Sequence, residues 1–254
     1  VSLVIKSFTA EAGHWYTKEG VPAYTVIGSN GKERNTTLRD ARKLNLLPSV
    51  TTILNISAKP GLNVWMQKQV LMAALTLPRR DGESEPDYID RIIRDSKEEG
   101  KSAADFGTEI HANIQQFYEG RPYDPKHEPF VSGCNDILSK ELGLQNWVCE
   151  RSFSHELGFG GKVDMHCENF IVDIKTREFT DGADVAAYDG ELMQLAAYRA
   201  GLGLPNARCA NVYLSRNVPG LCVVKEWSEE DLIRGWKMFL HLLQFWQIKN
   251  NYEG

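Results

Sequence analysis

In Gly160-Gly161-Lys162-Val163-Asp164-Met165-His166-Cys167-Glu168-Asn169-Phe170-Ile171-Val172-Asp173-Ile174-Lys175, two aspartates and two lysines alternate with apolar residues. That period suits two strands, and Glu168-Asn169 is the two-residue loop that joins them best. The resulting register sets 167 against 170, 165 against 172, 164 against 173 and 162 against 175. Asp164, Asp173, Lys162 and Lys175 then share one face, with Val163, Met165, Val172 and Ile174 on the other. Carboxylates directly opposed across two strands have Cβ atoms about 4.5–5.5 Å apart and repel each other. Diagonal salt bridges to the two lysines would offset that repulsion. So would a divalent cation between Asp164 and Asp173 with Lys175 beside it, because hard cations take carboxylates, waters and phosphate oxygens. The hairpin alone leaves both readings open.

Other residues suit either reading. His111 lies in a helical stretch, Ala103–Glu119, that stops at Gly120 with Pro122 beyond. A lone helical histidine is commonly packed or on the surface, but beside carboxylates a neutral imidazole is a good ligand for Mn²⁺. Gln194 and Tyr198 are four apart on one helix face, where a hydrogen bond over a buried ring is the plainest reading. Glu150 reads as a strand-edge charge or as a group orienting Lys175. Ser49 after Pro48 reads as a helix N-cap, and with Thr51 it gives a hydroxyl-rich turn able to bind an anion.

Asp164 followed by Asp173-Ile174-Lys175 resembles the D…(D/E)xK signature of the PD-(D/E)XK nuclease superfamily. Gln194-Leu195-Ala196-Ala197-Tyr198 resembles the QxxxY motif of its RecB-like exonuclease branch, and Gly107-Thr108-Glu109-Ile110-His111 that branch's G-xxx-H helix. Glu150 with Gly160-Gly161-Lys162-Val163-Asp164 is similar to its acidic strand and G-x-x-D approach. Pro48–Leu54, with Trp65 after it, is similar to the lead-in of the mitochondrial genome-maintenance exonuclease and related phage exonucleases. The likeness spans residues 47–200 and rests on the order and spacing of the motifs together.

The resemblance implies an α/β fold: a restriction-endonuclease-like core with a central mixed sheet flanked by helices, plus a helical N-terminal half. It implies one nuclease domain over 1–254, with strands and a helical arch over 1–102 and the catalytic core and C-terminal helix over 103–254. The implied activity is metal-dependent exonucleolytic hydrolysis from DNA ends, with single strands preferred, in recombination, repair or replication processing. His111, Asp164 and Asp173 would hold Mg²⁺ or Mn²⁺, with the Ile174 carbonyl as a further ligand. Lys175 would position or deprotonate the attacking water, and Glu150 would orient Lys175 or an outer-sphere water. Gln194, Tyr198, Ser49 and Thr51 would lie at the DNA. Trp65, Phe106, Phe117 and Tyr118 would either stack bases or fill the core. The alternatives are a structure-specific or restriction-like endonuclease with the same site, and a catalytically silent DNA-binding nuclease fold. A recombination or replication protein is an expected partner, and the cytoplasm of a bacterial or phage-infected cell the expected setting. No CxxC set is present for an iron–sulfur cluster, and no GxxxxGK[ST] loop for a helicase.

The elements that must position these groups follow from the wider pattern. The chain has 254 residues, 42% hydrophobic and 25% charged, the balance of a water-facing globular protein. No apolar run reaches the roughly 18 residues of a membrane span. The first ten residues lack the basic-then-apolar pattern of a signal peptide. Five scattered cysteines argue against a disulfide framework or zinc knuckle and suit a reducing compartment. The formal charge is 29 − 34 = −5, which excludes a basic nucleic-acid coat. An acidic nuclease is compatible with that charge, since bound metal supplies the positive field. A small-molecule metallohydrolase would show HxH or HExxH, and neither occurs. The spacing predicts strands and turns over 1–35, a basic stretch over 32–43, and helices over 61–77, 87–100 and 103–119. Strands follow over 147–153, 161–167 and 170–175, a helix over 189–201, and strands over 211–214 and 221–227. A C-terminal helix opens at Ser228, its Leu232, Trp236, Phe239, Leu243 and Trp246 forming a core stripe.

Overall fold

Short strands and two short capped helices open the computed structural model, which describes residues 13–252; the signal-peptide reading of the first ten residues lies outside them. β1 (Trp15–Tyr16), β2 (Thr25–Ile27) and β3 (Glu33–Asn35) precede α1 (Leu38–Leu44), β4 (Leu47–Pro48) and α2 (Val50–Leu54). Thr37 and Asp40 cap α1 reciprocally, and Ser49 caps α2 by accepting the Thr52 N–H. Four helices follow: α3 (Pro60–Thr76), α4 (Glu85–Ser96), α5 (Glu98–Tyr118) and α6 (Glu128–Leu142). α5 begins five residues before the expected start at 103, so it runs through position 102. α6 was not among the expected elements. Its signal is present nonetheless, in Phe130, Val131, Cys134, Leu138 and Leu142 at helical spacing, with Pro129 in the first turn and Gly143 at the stop.

The remaining chain forms β5 (Val148–His155), β6 (Phe159–His166), β7 (Phe170–Arg177), α7 (Asp189–Gly201), β8 (Arg208–Ser215), β9 (Cys222–Trp227) and α8 (Glu229–Lys249). The five strands make one mixed sheet in the order β5-β6-β7-β8-β9, with β7–β8 parallel and the other pairs antiparallel. A parallel pair needs a crossover, and α7 supplies it. Ile171, Cys209 and Trp227 pack with α2, α7 and α8 on one face. Met165, Val172, Ile174, Val212 and Leu214 pack with α5 and α6 on the other. The fold is therefore mixed α/β, a sheet between two helical layers. Phe106, Phe117 and Tyr118 pack on the α5–α6 core. Among the described residues, no helix is long and apolar enough to cross a membrane.

The hairpin differs from expectation where it matters most. Its turn and first pairs are as read: the Cys167 N–H donates to the Phe170 carbonyl, His166 faces Ile171 and Met165 faces Val172. The β6–β7 ladder stops there. β6 continues on β5, β7 continues on β8, and the Ile174 N–H donates to Asp164 Oδ2 at 2.8 Å instead of to β6 backbone. Asp164–Asp173 and Lys162–Lys175 are thus not ladder partners. Nor do the apolar residues share a face, since Val163 packs in the α7–α8 core and Met165 in the α5–α6 core. β5 switches likewise, with Phe153 in the first core and Cys149 against the second. Both switches bracket one level of the sheet, Glu150 on β5 and Asp164 on β6. Glu150 has φ 56°, a left-handed backbone that breaks strict alternation.

Candidate metal centre

Three elements converge where β6 parts from β7. β5 supplies Glu150, β6 supplies Asp164 and α5 supplies His111; one ligand atom from each lies within 4.8 Å of the others. His111 Nδ1 is 3.5 Å from Asp164 Oδ1. Gly107, one turn before His111, explains how the helix comes so near. A Cβ there would sit 3.2 Å from Thr176 Oγ1 on β7, so glycine permits the close approach that puts His111 over the cluster. The β5–β6 register pairs Cys149 with Met165 and Arg151 with Val163, which leaves Glu150 and Asp164 between those pairs at one level of neighbouring strands. Lys162 Nζ pairs with Glu150. A strained backbone and opposed acids persist only where the surroundings over-determine them, and such strain concentrates at functional sites.

Behind this cluster lies a second, more buried chain of contacts. Asp173, 1% exposed, accepts from Lys175 Nζ at 2.6 Å and from Asn211 Nδ2 at 2.8 Å. Asn211 Oδ1 in turn accepts from the Trp227 indole at 2.8 Å. Lys175 also donates to Gln194 Oε1 at 3.2 Å, and Gln194 Nε2 donates to the Tyr198 hydroxyl at 2.8 Å. Glu191, one turn earlier on α7, anchors that helix: it pairs with Arg177, accepts from the Tyr213 hydroxyl at 2.7 Å and takes the Tyr188 N–H. Gly161 gives the Tyr198 ring room, since a Cβ there would lie 2.6 Å from Phe153 and 3.1 Å from Tyr198.

The electrostatics follow from burial and charge. Burial and the neighbouring Asp164 push the Asp173 carboxyl up to about 6, with Lys175 opposing them. Asp164 is half-buried, but His111, Lys175 and the Ile174 N–H outweigh the desolvation and hold it below the usual carboxylate value. His111 and Lys175 lose hydration yet are held above their ordinary values by the acids around them.

His111, Asp164 and Glu150 are therefore brought together, and Asp173 stands one step back, turned to Lys175 and Asn211. Ile174 reaches the cluster through its N–H. Gln194 and Tyr198 are buried and end on Lys175. Ser49 is 3% exposed with its hydroxyl engaged by Thr51 and Thr52, whereas Thr51 is exposed. Asn211, Trp227 and Glu191 escaped the sequence reading. The one available signal was Asn211, a polar residue inside the apolar run Cys209–Leu214.

One imidazole and two carboxylates from three elements fit Mn²⁺ or Mg²⁺, which take nitrogen and oxygen donors of this kind. No family model matches the chain, and no curated protein does. Among solved structures it is similar to the crystal structure of SSO0001, at 14% identity over 72% of this chain and 87% of that one, with a TM-score of 0.30. So loose a likeness bears on neither fold family nor activity.

Proposed function

We propose that this chain is a divalent-cation-dependent deoxyribonuclease with a restriction-endonuclease-like core, of the RecB-like exonuclease branch of the PD-(D/E)XK superfamily, acting on DNA ends and preferring single strands. The observation that carries the reading is the His111–Glu150–Asp164 donor cluster with Lys175 beside it, held by Asp173 and Gln194. Glu150 and Asp173 pair with Lys162 and Lys175, as a salt-bridge lattice would have them, but among the described residues Asp164 has no lysine pair. Asp164 has instead a histidine and a backbone N–H, and Glu150 is held in a left-handed conformation opposite it.

His111, Glu150 and Asp164 would hold Mg²⁺ or Mn²⁺. Such an ion, when bound, would supply polarisation of a phosphate and a lowered pKa for a nearby water. The chain's own residues do the rest. Lys175 presents an ammonium fixed from two sides, able to orient a water and stabilise charge developing on the phosphate. Asp173 keeps that ammonium protonated and aimed, and Asn211 keeps Asp173 from turning away. Gln194 and Tyr198 set the other side of the Lys175 head group. Thr51 is the exposed hydroxyl suited to a backbone phosphate. The preference for ends and single strands follows from the resemblance of the motifs.

The test is digestion of end-labelled linear and circular DNA, single-stranded and duplex, with Mg²⁺ or Mn²⁺, alongside Asp164→Ala and Lys175→Ala. Loss of linear single strands only, abolished in both variants, is the expected result. Cutting of circles would replace exonuclease by endonuclease at the same site. No cation-dependent cleavage of any DNA would end the nuclease reading.

A further inference from the structure

On the Lys162 side of the cluster, the N-terminal strands form an aromatic wall. His14 stacks on Tyr24 with ring centroids 4.5 Å apart and 27° between planes. The Tyr24 hydroxyl lies 2.6 Å from the Tyr16 hydroxyl, and the two tyrosine rings meet edge-on at 5.6 Å. Tyr16 is 2% exposed and presses on β6 at Gly160, where a Cβ would lie 2.8 Å from its ring. The His14 backbone is pinned too, donating to Thr52 Oγ1 at 3.2 Å and accepting the Ser49 N–H at 2.9 Å. The wall is therefore fixed to the strand that carries Asp164 and to the turn that carries Thr51. His14 itself is exposed and stacked on Tyr24. Partial desolvation and the nearby Lys162 lower its imidazole below the ordinary value.

We propose that His14, Tyr24 and Lys162 form a subsite for one nucleotide of a single strand, with the base stacked on the outer face of His14 and a phosphate on Lys162 Nζ. The proposal rests on the nuclease reading of the adjoining centre. Each part has its own physical reason. Stacking on an exposed ring accepts any base, as an enzyme without sequence preference requires. Lysine is a point-charge partner for phosphate, and Lys162 keeps 38% of its side chain exposed. When Glu150 serves as a metal ligand, Lys162 is free to take a phosphate in its place. Fixing the platform in advance through Tyr16 and the His14 backbone lowers the entropy lost on binding.

The experiment is anisotropy with a labelled oligothymidylate of about eight nucleotides, in Ca²⁺ to allow binding, together with a set carrying one abasic position each. His14→Ala is expected to weaken binding about ten-fold, within the range measured for single stacked bases, and His14→Phe to restore it to within about two-fold. At one abasic position the wild type should lose a similar factor and His14→Ala nothing more. Lys162→Gln should lower the salt slope by about 0.7, the share of one phosphate on a single strand. If the wild type binds or cleaves DNA while His14→Ala behaves like it, the subsite is overturned and the nuclease reading stands. If the wild type neither binds nor cleaves any DNA, both fall.

Discussion

At the scale of single residues, Glu150 is where the chain gives up stability for the site. The other non-glycine residues with positive φ among the described residues are Asn45 and Asn251, and asparagine tolerates that conformation whereas glutamate does not. Glu150→Gly should therefore raise the metal-free stability by roughly 1 kcal/mol, the size of a left-handed penalty, helped by removing the acid opposite Asp164. The same variant should lose Mn²⁺ binding. Urea unfolding and calorimetric titration read the two effects separately, and a destabilised variant that still binds Mn²⁺ would refute the assignment. Asp173 yields a second prediction. Its folded value, about 6, exceeds the ordinary carboxylate value, so the folded chain holds a proton that the unfolded chain has released between about pH 4 and 6. Stability in EDTA should fall as pH rises through that window, by at most about 1.4 kcal/mol per pH unit, and Asp173→Asn should remove the slope. Asp164 acts with the opposite sign in a lower window: its lowered value adds stability that is lost as pH falls below about 4. An identical slope in wild type and Asp173→Asn would count against the burial argument.

At the scale of elements, the centre depends on how closely α5 approaches β7, and Gly107 sets that distance. Gly107→Leu should push the helix off Thr176 and swing His111 away. The expected loss is about ten-fold in Mn²⁺ affinity, as when a group that orients a ligand is removed, with the fold retained by circular dichroism. Unchanged affinity would mean that His111 is placed by something else. The elements themselves were largely legible, because alternation and helical spacing are local. The hairpin turn at 168–169, the cap at Ser49 and the stripe of α8 all follow from neighbours in sequence. The end of the β6–β7 ladder was not legible. It depends on a left-handed residue on a third strand and on Asp164 taking a backbone N–H that alternation assigns to the partner strand. For the same reason Glu150 entered the donor cluster and Asp173 stepped back to Lys175. Asn211 and Trp227 secure Asp173 from 38 and 54 residues away in sequence, and no spacing rule reaches that far.

At the scale of the whole molecule, the sheet is held by two cores on opposite faces, and the donor cluster occupies the opening where β6 and β7 part between them. Its ligands come from α5, β5 and β6, so a cation bridging them binds the folded chain and has no comparable site in the unfolded one. Binding must then appear as stability. At a Mn²⁺ concentration about 100 times Kd the gain is about 2.7 kcal/mol, or roughly 5–10 °C in Tm for a chain of this size. A net charge of −5 attracts cations diffusely as well, so the rise alone does not locate the site. Two comparisons do. Asp164→Ala should remove the site-specific part of the rise and leave only any diffuse contribution. Mn²⁺ should also exceed Mg²⁺ at equal concentration, because the imidazole of His111 favours the softer ion, and His111→Gln should narrow that gap. Equal shifts for both ions in all three proteins would mean that the acids of this opening only gather counter-ions, and the centre would lose its claim to chemistry.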